Sequence, residues 1–532
     1  MEDLLNTFGM MYPYTLIFMI ILMAIYYRRT YRQVNTSLLP LFLFFALLAY
    51  FLSFFGNYTT QWFMILWFIR DLATLLICIW IWKIFLRFPK SVFIGILILV
   101  AGSVYLYFRN GSVSFNKVVT EYASNNGAEL IFEIKDVKYK GKVDTLLASF
   151  KPKIEQAFPQ LNDTATTTLD NCFTIDINDS SFIDRMIDTL NKSGYVEWVE
   201  YNEAYKLSPV EDSLGNIGQK DYLTKVLNDT FVKNQWGFGF MDIENLMATL
   251  KKVKPVKRAK IFILDTGVDG KHEDLSDNYI SLNEKYDTDT DKHGTHCAGI
   301  ACAVSNNQKG IASLNLTGKL TSITGITVLP GGYGRQEGII DGIVLAADNG
   351  ADVISMSLGG VSNDKRQIAY EKAIQYANSK GAVVVVAAGN ENDNAKNHVP
   401  ASCKGVICVS AVDDSLKKAV FSNFVTDIEF KVAAPGVNIF STLPLNQYKA
   451  MNGTSMATPY VAGLAGIMKS LEPSLNTEDI YRMLMATGID TKNTNLTGKF
   501  IQPLKAVSEI KSLSFGSRFT LFMHKLLVFK EN

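Results

Sequence analysis

Apolar positions are distributed along this chain in two different ways. Through the first 110 residues they come as long runs, at 8–27, 38–55, 62–82 and 92–108. At 1.5 Å of rise per helical residue, each run is long enough to cross a hydrocarbon core of about 30 Å. The third is interrupted by Arg70 and Asp71, and each such charge costs about 2.5–3.5 kcal/mol at the centre of a spanning helix. Two readings follow. Either four helices span and the two charges find partners inside the bundle, or three span and only Leu72 onward is immersed; four is the expectation. From Ala128 to Leu207 the pattern becomes a short alternation. Strands are predicted at 130–134, 172–177 and 196–201 and helices at 145–158 and 182–190, which together make a small two-layer α/β domain. A polar stretch from Pro209 to Leu227 reads as a linker.

Beyond the linker, four stretches place chemistry at the ends of buried elements. Ile261-Phe262-Ile263-Leu264-Asp265 is an apolar strand ending on a carboxylate and a glycine turn. His293 opens the small-residue helical stretch His293-Gly294-Thr295-His296-Cys297-Ala298-Gly299. Ala382 to Gly389 is a buried parallel-strand run followed by Asn390, whose amide can donate to an oxyanion. Asn452-Gly453-Thr454-Ser455-Met456-Ala457-Thr458-Pro459 puts a serine at a helix start, where backbone N–H groups favour developing negative charge. Pro459 is expected where an early-helix N–H has no partner anyway. The run continues helically through Met468, with so little bulk at Ala457, Ala462, Gly463, Ala465 and Gly466 that it must pack closely.

Together, in the order Asp, His, Asn, Ser, these stretches resemble the subtilisin-like serine proteases, from about Asn228 to Ala506. The resemblance implies a doubly wound parallel-sheet α/β catalytic domain. It makes Ser455 the nucleophile, His293 the base and then acid, Asp265 its orienting carboxylate and Asn390 an oxyanion donor. His296 is expected to be a hydrogen-bonded structural group. Val353 to Gly360 resembles the family's substrate-binding strand, so Ser357, Leu358, Gly359 and Gly360 are expected to pair with an extended peptide. Ala387, Ala388 and Gly389 are expected to form a small, uncharged slot, which favours broad cleavage after apolar residues. Asp274 matches a carboxylate used at a calcium site, but the loop Val304 to Gly310 is shorter than the family's usual form; no cofactor is required and calcium is doubtful. The small domain resembles the family's inhibitory propeptide, with Val199-Glu200-Tyr201-Asn202 in place of a valine and acidic run. A plain adaptor domain would show the same alternation.

Charge and cysteines refine this picture. Of 532 residues, 48% are hydrophobic, and the net charge of +1 offers no field to gather nucleic acid, so nucleic acid is set aside as a partner. Arg28, Arg29 and Arg32 follow the first apolar run and Lys83, Arg87 and Lys90 the third, which keeps those loops in the cytoplasm and places everything after Phe108 outside it. The first run lacks the basic start and small-residue cleavage site of a signal peptide. The partners expected are therefore protein or peptide substrates, the lipid membrane and the chain's own pro-region, and the source is expected to be bacterial. Cys297 and Cys302 read as buried apolar groups; an oxidising compartment would allow Cys403 and Cys408 to pair, but their short spacing argues against a disulfide. The apolar segment 519–529 is either an interfacial helix or a packing element. The organisation expected is a membrane bundle at 1–112, a propeptide-like domain at 113–208, a linker at 209–227, a catalytic domain at 228–511 and a tail at 512–532. A noncatalytic peptide-binding module is the alternative, and the intact set of Asp265, His293, Asn390 and Ser455 argues against it.

Overall fold

The alternation near residue 130 produces a four-stranded antiparallel sheet. Its strands are β1 (Leu130–Ile134), β2 (Lys153–Gln156), β3 (Cys172–Asp176) and β4 (Val196–Tyr201), in the order β2-β3-β1-β4. Helices α1 (Lys140–Leu147) and α2 (Ile183–Lys192) cover one face. Leu130, Phe132 and Ile134 point into that layer against Val143, Leu147, Met186 and Leu190, whereas Ile131 turns to the opposite face and joins the core of the larger domain. Every residue of β1 is buried for this reason. The helix expected at 145–158 is corrected: it ends at Leu147, and Lys153–Gln156 is a strand. Pro152 would clash with the preceding turn, and Lys151 takes a left-handed φ of 51°, which closes the helix before it.

The computed structural model describes residues 129–159, 167–177, 179–207, 221–361 and 367–512. The four apolar runs, the linker up to residue 220 and the segment 519–529 lie outside them. Among the described residues no helix is long and apolar enough to cross a membrane.

After β5 (Ala204–Lys206) and α3 (Ile243–Leu250), the larger domain is built on a seven-stranded sheet in which every pairing is parallel. Its strands are β6 (Ala259–Asp265), β7 (Thr321–Thr327), β9 (Val353–Met356), β11 (Val383–Ala387), β13 (Val406–Val412), β14 (Lys431–Pro435) and β17 (Lys499–Phe500). Short ribbons β8 (Tyr333–Arg335), β10 (Gly360–Val361), β12 (His398–Val399), β15 (Ile439–Leu443) and β16 (Gln447–Met451) decorate it. One face carries α4 (His293–Cys302) and α7 (Thr454–Leu471), the other α5 (Gln336–Asp348) and α6 (Ile368–Ser379); α8 (Thr477–Thr487), α9 (Thr494–Thr497) and α10 (Pro503–Ser512) are the last helices among the described residues. The run of four valines in β11 shows why: Val383 and Val385 join the core under α7, Val384 and Val386 the core under α5 and α6. A strand buried on both faces needs no polar alternation.

Helix α7 is buried along its whole length. A Cβ on Gly463 would stand 2.8 Å from the Ala301 carbonyl of α4, and one on Gly466 2.8 Å from Ile261 of β6, so the missing side chains are what let this helix lie against both. The sheet order is β17-β14-β13-β11-β9-β6-β7. From β6 the chain goes out to β7 on one side and returns as β9 on the other. The crevice at their carboxyl ends is where such sheets bind ligands.

Candidate active site

That crevice collects the expected residues. Asp265 ends β6, fully buried, and its Oδ1 lies 2.7 Å from His293 Nδ1 at the first position of α4. The same oxygen accepts the Thr266 N–H at 2.8 Å. Burial presses the His293 imidazole towards neutrality, while the Asp265 carboxylate, and after it the Cys297 sulfur, act in the opposite direction, and the pKa stands well above its ordinary value. His296, one turn deeper, is driven by burial down to about 3 and donates to the Lys449 carbonyl through Nε2 at 3.0 Å. A ring fixed as a neutral donor at that nitrogen is a structural group, as expected. Asp265, His293 and Cys297 form a cluster of metal-ligand type, but the first two spend their facing atoms on one another. Burial raises the Cys297 thiol pKa, so the group stays protonated.

Two side chains that sequence reasoning missed set this pair. Asp289 is buried and closes the start of α4: Oδ1 accepts from Thr266 Oγ1 and the N–H groups of Asp291 and Lys292, and Oδ2 from the N–H and hydroxyl of Thr295. The Thr266 hydroxyl in turn accepts the Gly294 N–H at 2.9 Å. A carboxylate four residues ahead of a helix-opening histidine was the available signal.

Ser455 is the second residue of α7, 8% exposed, and its Oγ donates to the Ser357 carbonyl at 3.2 Å. Gly453 precedes the helix at φ 151°, and the nearest atom to a Cβ built there is the Asn390 amide nitrogen, at 3.5 Å. Pro459 corrects the expectation made for it: it is the sixth residue of α7, where its missing N–H would have bonded the Ser455 carbonyl. That carbonyl instead accepts from the Ser357 hydroxyl at 2.8 Å and the Cys297 thiol at 3.5 Å. Proline here frees the Ser455 carbonyl, which ties that residue to Ser357 just past β9.

Asn390 Oδ1 accepts both the N–H and the hydroxyl of Thr454 at 2.9 Å. A backbone N–H can only donate, so the amide is oriented and Nδ2 is left to face the cleft. Asn423, also unforeseen, fixes the loop: its Nδ2 donates to the Ala388 carbonyl, its Oδ1 accepts from Glu391 and Asp393 N–H, and a Cβ on Gly389 (φ 102°) would collide with it. Ser357, Leu358, Gly359, Ala387, Gly389, Asn390, His293 and Ser455 line one cleft; Gly360 lies just beyond, against Tyr205, and Ala388 is buried behind the wall.

Two expectations about this cleft change. Val353–Met356 is an interior strand between β6 and β11, so only the residues after it can meet a peptide. The main-chain partner of β5 is the opposite rim, β8: Tyr205 pairs with Gly334 and the Leu207 N–H donates to the Gly332 carbonyl at 3.0 Å. Nor is the slot uncharged, because Asp291 and Glu391 line the same cleft.

The small domain grips the helices behind it. Glu200 accepts from Gln336 Nε2 and from the Ile368 N–H, and Asn202 accepts the Glu337 N–H at 3.0 Å, so the chain's own strand caps α5 and α6, which make no cap of their own. Glu133, 3% exposed, takes Lys372 Nζ on both oxygens at 2.8 and 2.6 Å.

Asp274 does not fit a calcium ion. Its Oδ1 accepts Asn307 Nδ2 at 2.7 Å, with that amide oriented by the Lys309 N–H on its oxygen, and its Oδ2 accepts the Ile311 N–H at 2.8 Å. The N–H donors stand on the very oxygens a cation would need, and burial lifts the acid to about 7. Cys172, Cys297, Cys302, Cys403 and Cys408 are free and buried.

Set against known proteins, residues 257–502 match the family described as Subtilase family, Peptidase_S8. The chain is 44% identical to thermitase of Thermoactinomyces vulgaris over 218 residues, which is 40% of this chain and 75% of thermitase. It is 44% identical over 216 residues to the thermophilic serine proteinase of Bacillus sp. (strain AK1), covering 40% of this chain and 52% of that one. Subtilisin DY of Bacillus licheniformis is 37% identical over 258 residues, 47% of this chain and 90% of the relative.

Proposed function

Because the chain belongs to the subtilase family and is a serine endopeptidase, we propose that it works as a membrane-anchored enzyme held latent by its own small domain, which it cuts away itself. In this reading Ser455 is the nucleophile. Its hydroxyl leaves the Ser357 carbonyl and passes its proton to the free nitrogen of His293, while Asp265 keeps the ring oriented and balances the imidazolium. The oxyanion forms between Asn390 Nδ2 and the Ser455 N–H, which at the second position of a helix has no intrahelical acceptor. His293 returns the proton to the leaving amine. Substrates are unfolded proteins or peptides, extended against β8 on one side and Ser357 to Gly360 on the other. Subtilases carry out this chemistry without a cofactor.

The observation that carries the latency is β5. Lys206 and Leu207 line the same cleft as His293 and Ser455, and Tyr205 is buried beside Gly360 with its ring edge-on to Tyr370 at 6.3 Å. A strand so placed excludes substrate and presents a peptide for a first turnover, after Leu207 or within the linker to Leu227; Pro209 disfavours the bond beside it. The four apolar runs supply the anchor, with the catalytic domain on the extracytoplasmic side. Both-end tagging followed by immunoblotting tests the processing: wild type is expected to be cut and Ser455→Ala to stay full length. Uncut but active wild type would make the domain a permanent adaptor, and equal cutting of the variant would assign the cut to another protease.

A further inference from the structure

Asn390 has to present Nδ2 at one point of the cleft, and its side-chain contact with Thr454 settles only the oxygen end of the amide. The main chain that carries it is a loop leaving β11 with left-handed backbone on both sides, φ 102° at Gly389 and 52° at Asn392. A loop of that shape persists only where the surrounding contacts over-determine it. Asn423, fully buried between β13 and β14, supplies those contacts. Its N–H donates to the Gly389 carbonyl and its Nδ2 to the Ala388 carbonyl, each at 2.9 Å, while its Oδ1 accepts the N–H groups of Glu391 and Asp393, each at 2.9 Å. Nδ2 also reaches Glu391 Oε2 at 3.0 Å. Both amide hydrogens and both acceptor positions of the oxygen are spent on residues that flank Asn390, and the two backbone donors fix which end of the amide is oxygen. On either side of Asn423 the Phe421 carbonyl takes the Asn392 N–H and the Phe424 N–H meets the Asp393 carbonyl, both at 2.8 Å, so the whole segment lies along the loop.

We infer that Asn423 is a positioning residue for the oxyanion donor, holding the main chain of Asn390 from behind so that Nδ2 is already aimed when charge develops on the substrate. This rests on the peptidase reading of the site. Thr454 fixes one end of the Asn390 side chain and Asn423 the other, and the direction of Nδ2 needs both. A donor aimed in advance costs no reorganisation during the reaction. One displaced by about an ångström can forfeit a rate factor on the order of a hundredfold. The interaction grows as the carbonyl becomes an oxyanion, so its loss falls on kcat and spares KM.

The test is a double-mutant cycle in the full chain, assayed on the fluorogenic peptide Ala-Ala-Ala-Leu, with rates normalised to the serines titrated by a fluorophosphonate. Asn423→Ala is expected to lower kcat by about 10- to 100-fold with KM within about twofold. Asn390→Ala is expected to lower kcat by about 10²- to 10³-fold, and adding Asn423→Ala to it should cost no more than about threefold, because the donor being aimed is gone. A merely structural role would reduce the titrated fraction and cost the same factor in both backgrounds. Equal losses in the two backgrounds, or a kcat in Asn423→Ala within about twofold of wild type, overturns the inference while keeping the peptidase. If Asn423→Ala yields no titratable protein, Asn423→Ser, which keeps a hydroxyl in the buried position, enters the same cycle with the same two outcomes. Turnover of no peptide by the wild type removes the peptidase reading and this inference with it.

Discussion

At the residue level, the His293–Asp265 contact decides when the enzyme can act. The imidazole must be neutral to take the serine proton, and its pKa is held well above the ordinary value by the carboxylate at 2.7 Å. Activity is therefore lost as pH falls through that raised pKa, and the acid limb of kcat/KM is expected to lie above about 6.5, the unperturbed imidazole value. In Asp265→Asn the raising charge is gone while burial remains, so the limb of whatever activity survives should move to lower pH; a limb that stays in place would show that His293 does not set it. The four residues assigned to the reaction do meet in one crevice, and short motifs point to them because each type is needed for its chemistry. Their supports were not legible in this way. Asp289, Thr266 and Asn423 act through hydrogen bonds to backbone groups up to 35 residues away, and a sequence does not display which N–H a carboxylate or amide will meet.

Among elements, the short-range signals were read well where burial dictates them and poorly where a single backbone position intervenes. The apolar runs of β6 and β11 and the small-residue face of α7 follow from packing on both sides of a parallel sheet. The helix expected at 145–158 failed at Pro152, and Pro459 was assigned to the wrong turn of α7, although its true position explains how the Ser455 carbonyl is tied to Ser357. The loop after α4 carries a prediction of its own. Direct hydrogen bonds from Asn307 and Ile311 to Asp274, and from the Asn306 N–H to Asp229, fasten this loop without a cation. Thermal melts in excess chelator and in millimolar calcium should therefore superimpose; a Tm that falls with chelator and returns with calcium would show that the ion displaces these donors.

For the whole molecule, the account joins an apolar N-terminal region to a latent peptidase, and the join is tested by topology. A reporter fused after Arg109 is expected to be active on the extracytoplasmic side, since the basic residues cluster in loops after the first and third runs. A cytoplasmic signal would mean three spans or an inverted bundle. The central claim is that Ser455 is a nucleophile activated by His293, and covalent labelling measures it most directly. The full chain, treated with a fluorophosphonate at mildly alkaline pH and mapped by peptide mass, is expected to carry the adduct on Ser455, with labelling lost in Ser455→Ala and nearly lost in His293→Ala. An adduct on another residue, or labelling of Ser455 that is undiminished without His293, would contradict the account.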